Sequence, residues 1–262
     1  MDIDLTNKRA IVCGSTQGIG KAVAEELANL GASITLVARN EEKLKAVQQS
    51  LSRAKAQQHH IVVADFAQPE YLKSAISSYL ETTSEIHILL NNTGGPSAGR
   101  VYDADPSAFI NAMQMHLICN QLLVQAVVPK MRKSGYGRII NIISTSVKEP
   151  IAGLGVSNTT RGAVASWSKT LANELGPYGI TVNNVLPGST ETDRIRSLIS
   201  NKAKEQGKDE RVVEEEMKSQ IPLRRFAEPA ETAAAVGFLA SPSAAYITGT
   251  NLAVDGGRIS CL

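Results

Sequence analysis

Short apolar runs alternate with longer amphipathic segments along the chain. Each run has five to eight residues and is rich in Val, Ile and Leu. Continuous runs of this kind are typical of strands that are buried on both faces of a sheet. We therefore predict seven strands, at residues 9–13, 33–38, 61–65, 86–91, 138–143, 180–187 and 251–255.

The segments between these runs predict helices, over about 19–30, 41–56, from Pro69 onward, 106–132 and 157–175. Strands that alternate with helices indicate a parallel sheet covered on both faces, joined by right-handed crossovers. The predicted fold class is α/β. We expect a single Rossmann domain over residues 1–262, with a doubly wound, seven-stranded parallel sheet.

One stretch departs from this alternation of strands and helices. Residues 188–222 are highly charged and lie between the sixth predicted strand and the last helix. Two interpretations stay open for this segment. It is either a mobile flap over a substrate site or a pair of solvated helices.

Composition excludes several classes of protein. The net charge is +2, which gives no general attraction to nucleic acid or to an anionic membrane. No run of about 18 apolar residues exists, and the first residues, MDIDLTNKR, have no apolar signal region. The cysteines Cys13, Cys119 and Cys261 show neither disulfide nor metal-ligand spacing. We expect a cytoplasmic protein without a metal, a nucleic-acid partner or a membrane span.

A glycine-rich turn follows the first predicted strand. Its residues are Gly14, Ser15, Thr16, Gln17, Gly18, Ile19 and Gly20. Glycines allow a tight turn and close approach to a diphosphate, and the helix that follows offers free N–H groups and its positive dipole end. The alternative is an ordinary turn before a helix. The position after the first strand of a doubly wound sheet favours a nucleotide site.

The residues at the ends of the next strands indicate which nucleotide cofactor the site binds. Ala38 and Arg39 end the second strand where an NAD site usually carries an acid for the ribose. Arg39 suits a 2′-phosphate, so NADP(H) is favoured over NAD(H), although such an arginine is also a common surface charge. Asp65, with Phe66, ends the third strand and either binds the adenine amino group or caps the next turn. Asn92, Thr93 and Gly94 follow the fourth strand at the same sheet edge.

Taken together, these motifs resemble the short-chain dehydrogenase/reductase family over nearly the whole chain. Asn91–Gly94 is similar to the family's N-N-A-G segment, and Asn141–Ser144 is similar to its serine strand. Pro187, Gly188 and Thr190 resemble the P-G-x-x-T motif that meets the nicotinamide amide. Within the family, the sequence as a whole most resembles a divergent subgroup of the 3-oxoacyl-carrier-protein reductases. The resemblance implies a small-molecule carbonyl or alcohol substrate, and a homotetramer or homodimer built through the two long helices.

The family implies a catalytic tetrad of asparagine, serine, tyrosine and lysine. Ser144 fits the serine, which orients the carbonyl. The tyrosine position falls on Ser157, the lysine position on Arg161 and the asparagine position on His116. Arg161 keeps a cation for the nicotinamide ribose, whereas Ser157 is a much weaker acid than tyrosine. General acid catalysis is typically worth about 10²–10⁴-fold.

The proton source is therefore open. His116 would titrate near neutral pH if its environment were ordinary. Lys148 lies four residues after Ser144, and Ser157 is also well placed as a helix N-cap with no chemical role. Three functions remain: an oxidoreductase of unusual mechanism, an NADP(H)-binding protein that senses or scaffolds without turnover, and a non-redox lyase of the halohydrin dehalogenase type.

Overall fold

The computed structural model describes residues 1–261. Its strands form one parallel sheet: β1 (Arg9–Cys13), β2 (Ser33–Ala38), β3 (His60–Val63), β4 (Ile88–Asn91), β5 (Gly137–Ile142), β6 (Ile180–Pro187) and β7 (Asn251–Val254). Their order across the sheet is β3-β2-β1-β4-β5-β6-β7. The chain turns from one direction to the other between β1 and β4, as in a doubly wound Rossmann sheet. The predicted fold class is confirmed.

Helices cover both faces of this sheet. They are α1 (Gly18–Asn29), α2 (Glu41–Ser50), α3 (Pro69–Glu81), α4 (Pro106–Met113), α5 (Cys119–Ser134), α6 (Gly155–Leu175), α7 (Asp193–Gln206), α8 (Glu210–Ser219) and α9 (Pro229–Ala240). One apolar core joins the sheet to α1, α2 and α9, and a second joins it to α3, α5 and α6. Among the helices of residues 1–261, none is long and apolar enough to cross a membrane.

A row of asparagines runs across the buried end of the sheet. Asn91, Asn141, Asn184 and Asn251 are register partners on β4, β5, β6 and β7. Asn91 donates to Asn141 at 2.8 Å, Asn141 to Asn184 at 2.9 Å and Asn184 to Asn251 at 2.7 Å. The second amide proton of Asn141 goes to Ser168 of α6 at 3.2 Å. This asparagine row ties four strands together immediately beneath the edge that carries the candidate site.

The long helix predicted over about 106–132 is present as an unbroken helical stretch, but it is not α-helical throughout. A wide π-helical turn, Gln114–Ile118, separates α4 from α5. It inserts an extra residue per turn and so changes which side chains face inward, which is common at functional sites. His116 lies in this turn and is buried. No glycine or proline marks the turn in the sequence, so the helical pattern conceals it.

The charged segment 188–222 contains the helices α7 and α8. They pack on each other through an apolar cluster separate from the two main cores, formed by Ile195, Ile199, Ala203, Val213, Ile221 and Phe226. We call this segment, with that cluster, the helical hairpin. The helix-pair interpretation describes its structure, and its role as a substrate flap stays a prediction.

Candidate active site

The glycine turn has the backbone geometry that a bound diphosphate needs. Gly14 and Gly18 adopt φ values of +60° and +54°, in the left-handed region that favours glycine. A Cβ on Gly20 would collide with the carbonyl oxygen of Gly14 and lie 2.7 Å from Nδ2 of Asn92. Helix α1 starts here without a side-chain cap and without an acid in its first turn. Its first N–H groups are therefore available to an anion.

Side chains around this turn brace it. Asn92 donates from Nδ2 to the carbonyls of Cys13, at 3.2 Å, and Gly14, at 3.3 Å. Ser15 is fully buried and contacts the carbonyl of Val37. Asn92 and Ser15 therefore hold the turn against the ends of β1 and β2. Gln17 is exposed and Ile19 is half-buried.

The adenosine end of the site is open to solvent. Arg39 is exposed at the end of β2, where its guanidinium is available to a phosphate. Asp65 accepts a hydrogen bond from the backbone N–H of Ala67 at 2.9 Å, so it caps its own loop as one interpretation proposed. The side chain of Phe66 is buried in the core beneath α3 and α5. Only the backbone of Phe66 is left to face a cofactor.

The nicotinamide end is formed by the loops after β4 and β6. Thr93 is half-buried and Gly94 is exposed on the loop after β4. Pro187 ends β6, and a Cβ on Gly188 would lie 2.8 Å from Cα of Asp255. Thr190 is buried, and its hydroxyl donates to the carbonyl of Gly188 at 3.2 Å. The two loops flank the ends of β4, β5 and β6.

Ser144 follows β5 and begins a short turn of 3₁₀ helix. Its hydroxyl accepts a hydrogen bond from the N–H of Ser146 at 3.1 Å. That bond uses an oxygen lone pair and leaves the hydroxyl proton free to donate. Ser144 is therefore oriented by the backbone while remaining able to bind a carbonyl oxygen.

Ser157 is not a helix cap, so that prediction is wrong. Helix α6 begins at Gly155 after Leu154, and Ser157 is its third residue. The loop before α4 contacts this end of the helix. The N–H of Gly155 donates to the carbonyl of Gly99 at 3.0 Å, and a Cβ on Gly155 would lie against the backbone of Val101. Ser157 is buried, with 9% of its surface exposed.

Arg161 lies one turn further along α6 and points to the sheet. It is 9% exposed, and its Nη1 donates to the carbonyl of Ile142 at the end of β5, at 2.9 Å. Burial, and then the nearby charge of Arg194, lowers the pKa of Arg161 to about 10. The guanidinium is therefore still a cation at neutral pH.

The environment of His116 is not ordinary, and the residue does not titrate near neutral pH. Burial, and then the charge of Arg161, lowers the pKa of His116 to about 2, while a hydrogen bond to the backbone of Gly94 opposes this change. The imidazole is neutral at physiological pH and is therefore not a general acid. Lys148, the other candidate, is exposed.

Known proteins match this chain over nearly its whole length. The family model described as "Enoyl-(Acyl carrier protein) reductase" matches residues 14–258. A 3-oxoacyl-[acyl-carrier-protein] reductase, FabG of Aquifex aeolicus, is 33% identical over 98% of this chain and 99% of its own. The chain belongs to the short-chain dehydrogenase/reductase family.

Other relatives of this short-chain dehydrogenase/reductase also match nearly the whole length of its chain. The NADPH-dependent reductase BacG of Bacillus subtilis is 29% identical over 98% of this chain and all of its own. The crystal structure of YwfH, an NADPH-dependent reductase involved in bacilysin biosynthesis, superposes with a TM-score of 0.92 at 28% identity, over 98% of this chain and 100% of that one. L-sorbose reductase from Gluconobacter frateurii, complexed with NADPH and L-sorbose, superposes with a TM-score of 0.92 at 32% identity, over all of both chains. The relatives and neighbours are oxidoreductases of this family.

Two features of this short-chain dehydrogenase/reductase escaped sequence reasoning. Arg194 of α7 donates from Nη2 to the carbonyl of Pro96 at 2.7 Å and so reaches the site. The charged segment gives no signal that separates Arg194 from its neighbour Arg196. The asparagine row did leave a signal, because Asn141 and Asn184 stand inside runs that are otherwise apolar. A polar residue within such a run is hydrogen-bonded when it is buried.

Proposed function

We propose that this protein is an NADP(H)-dependent oxidoreductase that interconverts a carbonyl and an alcohol without a tyrosine acid. One observation carries the proposal. The glycine turn has the shape that a bound diphosphate needs. At the same edge of the sheet, buried and positively charged Arg161 is held by Ile142, two residues before Ser144. The family binds the nicotinamide and the reacting carbonyl at this place. A small-molecule substrate, a cytoplasmic location and a homotetramer or homodimer are part of the proposal.

The cofactor assignment rests on the shape and charge of its site. The glycines of the turn leave a space that a Cβ would fill, which fits a bound diphosphate. Exposed Arg39, with no acid beside it at the end of β2, supports NADP(H) over NAD(H). BacG and YwfH are NADPH-dependent reductases, and L-sorbose reductase forms a complex with NADPH, which supports the same choice. When bound, this cofactor supplies or accepts the hydride.

The residues of the chain would do three things to the substrate. Ser144 donates a hydrogen bond from its free hydroxyl to the carbonyl oxygen and orients it, without giving up the proton. Arg161 holds the ribose and places a positive charge where negative charge develops in the transition state. Ser157 places a hydroxyl in the position of the family's tyrosine. It relays a proton from water to the new alkoxide in place of a dedicated acid.

A second candidate is an NADP(H)-binding protein without turnover. Neutral His116 and weakly acidic Ser157 favour it, because neither supplies a proton readily at neutral pH. The intact glycine turn speaks against a dehalogenase, since that class has a halide pocket in place of the cofactor.

Titration of NADPH fluorescence, followed by turnover of NADPH on a panel of ketones, separates these functions. Binding with oxidation of NADPH supports the oxidoreductase. Binding with no oxidation on any ketone supports the second candidate. Failure to bind either NADPH or NADH would contradict both.

A further inference from the structure

Two arginines from different parts of the chain meet beside the loop after β4. Arg161 comes from α6 and is held by the carbonyl of Ile142. Arg194 comes from the helical hairpin and is held by the carbonyl of Pro96. Each is therefore held by a backbone acceptor at the site, although Arg161 is buried and Arg194 is exposed.

The gap between the two guanidinium groups is defined by Gly95. A Cβ on Gly95 would lie 3.6 Å from Nη2 of Arg194 and 3.8 Å from Nη2 of Arg161. Because both nitrogens are within 4 Å of one point, they are at most about 8 Å apart. The several oxygens of a carboxylate or phosphate can bridge such a gap, each accepting a charge-assisted hydrogen bond of about 2.7–2.9 Å from one arginine.

No protein group neutralises this pair. Within residues 1–261, no carboxylate oxygen lies within 4 Å of either guanidinium. The nearest acid along the chain, Asp193, pairs with Arg196 at 3.8 Å. His116, also beside Arg161, is neutral. Two positive charges that face each other in a partly dehydrated site repel, and a bound anion removes that repulsion.

The position of the pair favours the substrate over the cofactor diphosphate. The glycine turn already offers backbone N–H groups for the diphosphate. Arg161 instead contacts the end of β5, two residues before Ser144, where the proposed function places the reacting carbonyl. Helix α7 begins beside Gly18, since Thr192 lies 3.1 Å from the position of its missing Cβ, so the experiment must also test the diphosphate.

We propose that Arg161 and Arg194 form a binding site for an anionic group of the substrate, a carboxylate or a phosphate. The inference rests on the proposed function for the location of the carbonyl, but the anion site itself exists whether or not hydride transfer occurs. It defines the substrate class as a ketone or alcohol with a negatively charged group close to the reacting carbon.

Calorimetric titration tests the site without requiring turnover. The probes are acetoacetate, its uncharged methyl ester and dihydroxyacetone phosphate, each titrated with and without NADP⁺. We expect at least one of the two charged probes to bind roughly tenfold or more tightly than the ester. Equal affinity for charged and uncharged probes, or no binding of any probe, would overturn the proposal. The stronger of the two charged probes distinguishes carboxylate from phosphate.

Matched variants on the hairpin sharpen the test. Arg194→Gln should weaken the preferred charged probe by roughly tenfold or more and leave the ester unchanged. Arg196→Gln removes the same charge from an exposed position of the same helix and should change neither. If Arg194→Gln acts no differently from Arg196→Gln, the proposal is wrong. It is also wrong if Arg194→Gln weakens NADP⁺ while the preference for the charged probe persists.

A second variant guards against misfolding. Gly95→Ala places a methyl group between the guanidiniums in ordinary van der Waals contact with both, and it removes no charge. It should weaken the charged probe while the thermal transition stays within a few degrees of the parent. Unchanged binding in folded Gly95→Ala would contradict the predicted position of the anion. Loss of NADPH oxidation with binding of the charged probe intact would count against the proposed function alone.

Discussion

The carboxamide of Asn141 uses both of its protons inside the sheet, one on Asn184 and one on Ser168. Its oxygen accepts from Asn91, so no polar atom of Asn141 is left without a partner. Buried amides that are fully satisfied stabilise a fold, and removing one leaves its partners unsatisfied. This residue therefore sets the alignment of β5 with its neighbours at the edge where Ser144 emerges.

Replacing Asn141 should destabilise the protein strongly. We expect Asn141→Ala to lower the free energy of unfolding by about 2–4 kcal/mol, because several buried amide groups lose a partner. Urea denaturation followed by circular dichroism measures the change. Asn201→Ala on the exposed surface of α7 is the control and should stay within about 0.5 kcal/mol. Similar effects for the two variants would show that the asparagine row contributes little.

Gly20→Ala should abolish cofactor binding. Its methyl group would collide with the carbonyl of Gly14 and with Nδ2 of Asn92, which brace the turn. We expect loss of NADPH binding in a fluorescence titration, together with a lower melting temperature. Gly162→Ala in α6 is the matched control, since a Cβ there meets nothing within 4 Å. That control should bind normally and be as stable as the parent or up to about 1 kcal/mol more stable. Normal NADPH binding by Gly20→Ala would contradict the site.

Arg39→Ala tests the choice between the two nicotinamide cofactors. Loss of a guanidinium that pairs with a 2′-phosphate should weaken NADPH by roughly tenfold or more and leave NADH nearly unchanged. Fluorescence titration with both cofactors measures the ratio. Arg53→Ala, an exposed arginine beyond α2, should leave the ratio unaltered. Equal weakening of NADPH and NADH would show that Arg39 contributes only general charge.

The double substitution Ser157→Tyr, Arg161→Lys restores the family's acid and its partner. If only the proton donor limits the rate, NADPH-dependent ketone reduction should rise, by up to about 10²–10⁴-fold. The two positions share a face of α6 near its start, so the new side chains approach each other. Ser157→Phe with Arg161→Lys supplies the ring without the acidic hydroxyl and should show no gain. An equal gain in both variants would mean that shape, not acidity, limits the reaction.

Stability should fall as the pH is lowered below about 6.5. Burial lowers the pKa of His59, His87 and His116 in the folded protein, to about 2 for His116. The unfolded chain therefore binds protons that the folded chain does not, and folding weakens as the pH falls from about 6.5 toward the folded values. Two of these rings accept backbone hydrogen bonds at strand starts, His59 from Ile34 and His87 from Arg9, which protonation would break.

Thermal unfolding between pH 7.5 and pH 5 measures this dependence. The melting temperature should change little down to about pH 6.5 and then decrease toward pH 5. His87→Gln should make that decrease smaller, because its side chain does not titrate. A melting temperature that is constant from pH 7.5 to pH 5 would contradict the prediction.

Much of the fold was readable from the sequence, because buried parallel strands need continuous apolar runs. The runs at 33–38 and 180–187 match β2 and β6 to the residue. The glycine turn and Ser144 were also readable, since they are local signals. The π turn at His116 was not, because it is set by how α4 and α5 pack and no residue type marks it.

The catalytic end was the least readable part. The low pKa of His116 arises from burial and from a cation on another helix, and neither is encoded near position 116. The same holds for Arg194, whose neighbours Asp193 and Arg196 pair with each other at the surface while it turns to Pro96. Such relationships depend on tertiary distance, which a local pattern does not contain.

The helical hairpin has an apolar cluster of its own, apart from the two cores that hold the sheet. It also carries Arg194. The proposed anion site and the nucleotide-binding sheet therefore depend in part on different sets of core residues. Substitutions at residues such as Ile199 or Val213 can alter the hairpin, and with it the position of Arg194, without touching the two main cores. The inherited nucleotide-binding sheet then remains as it was.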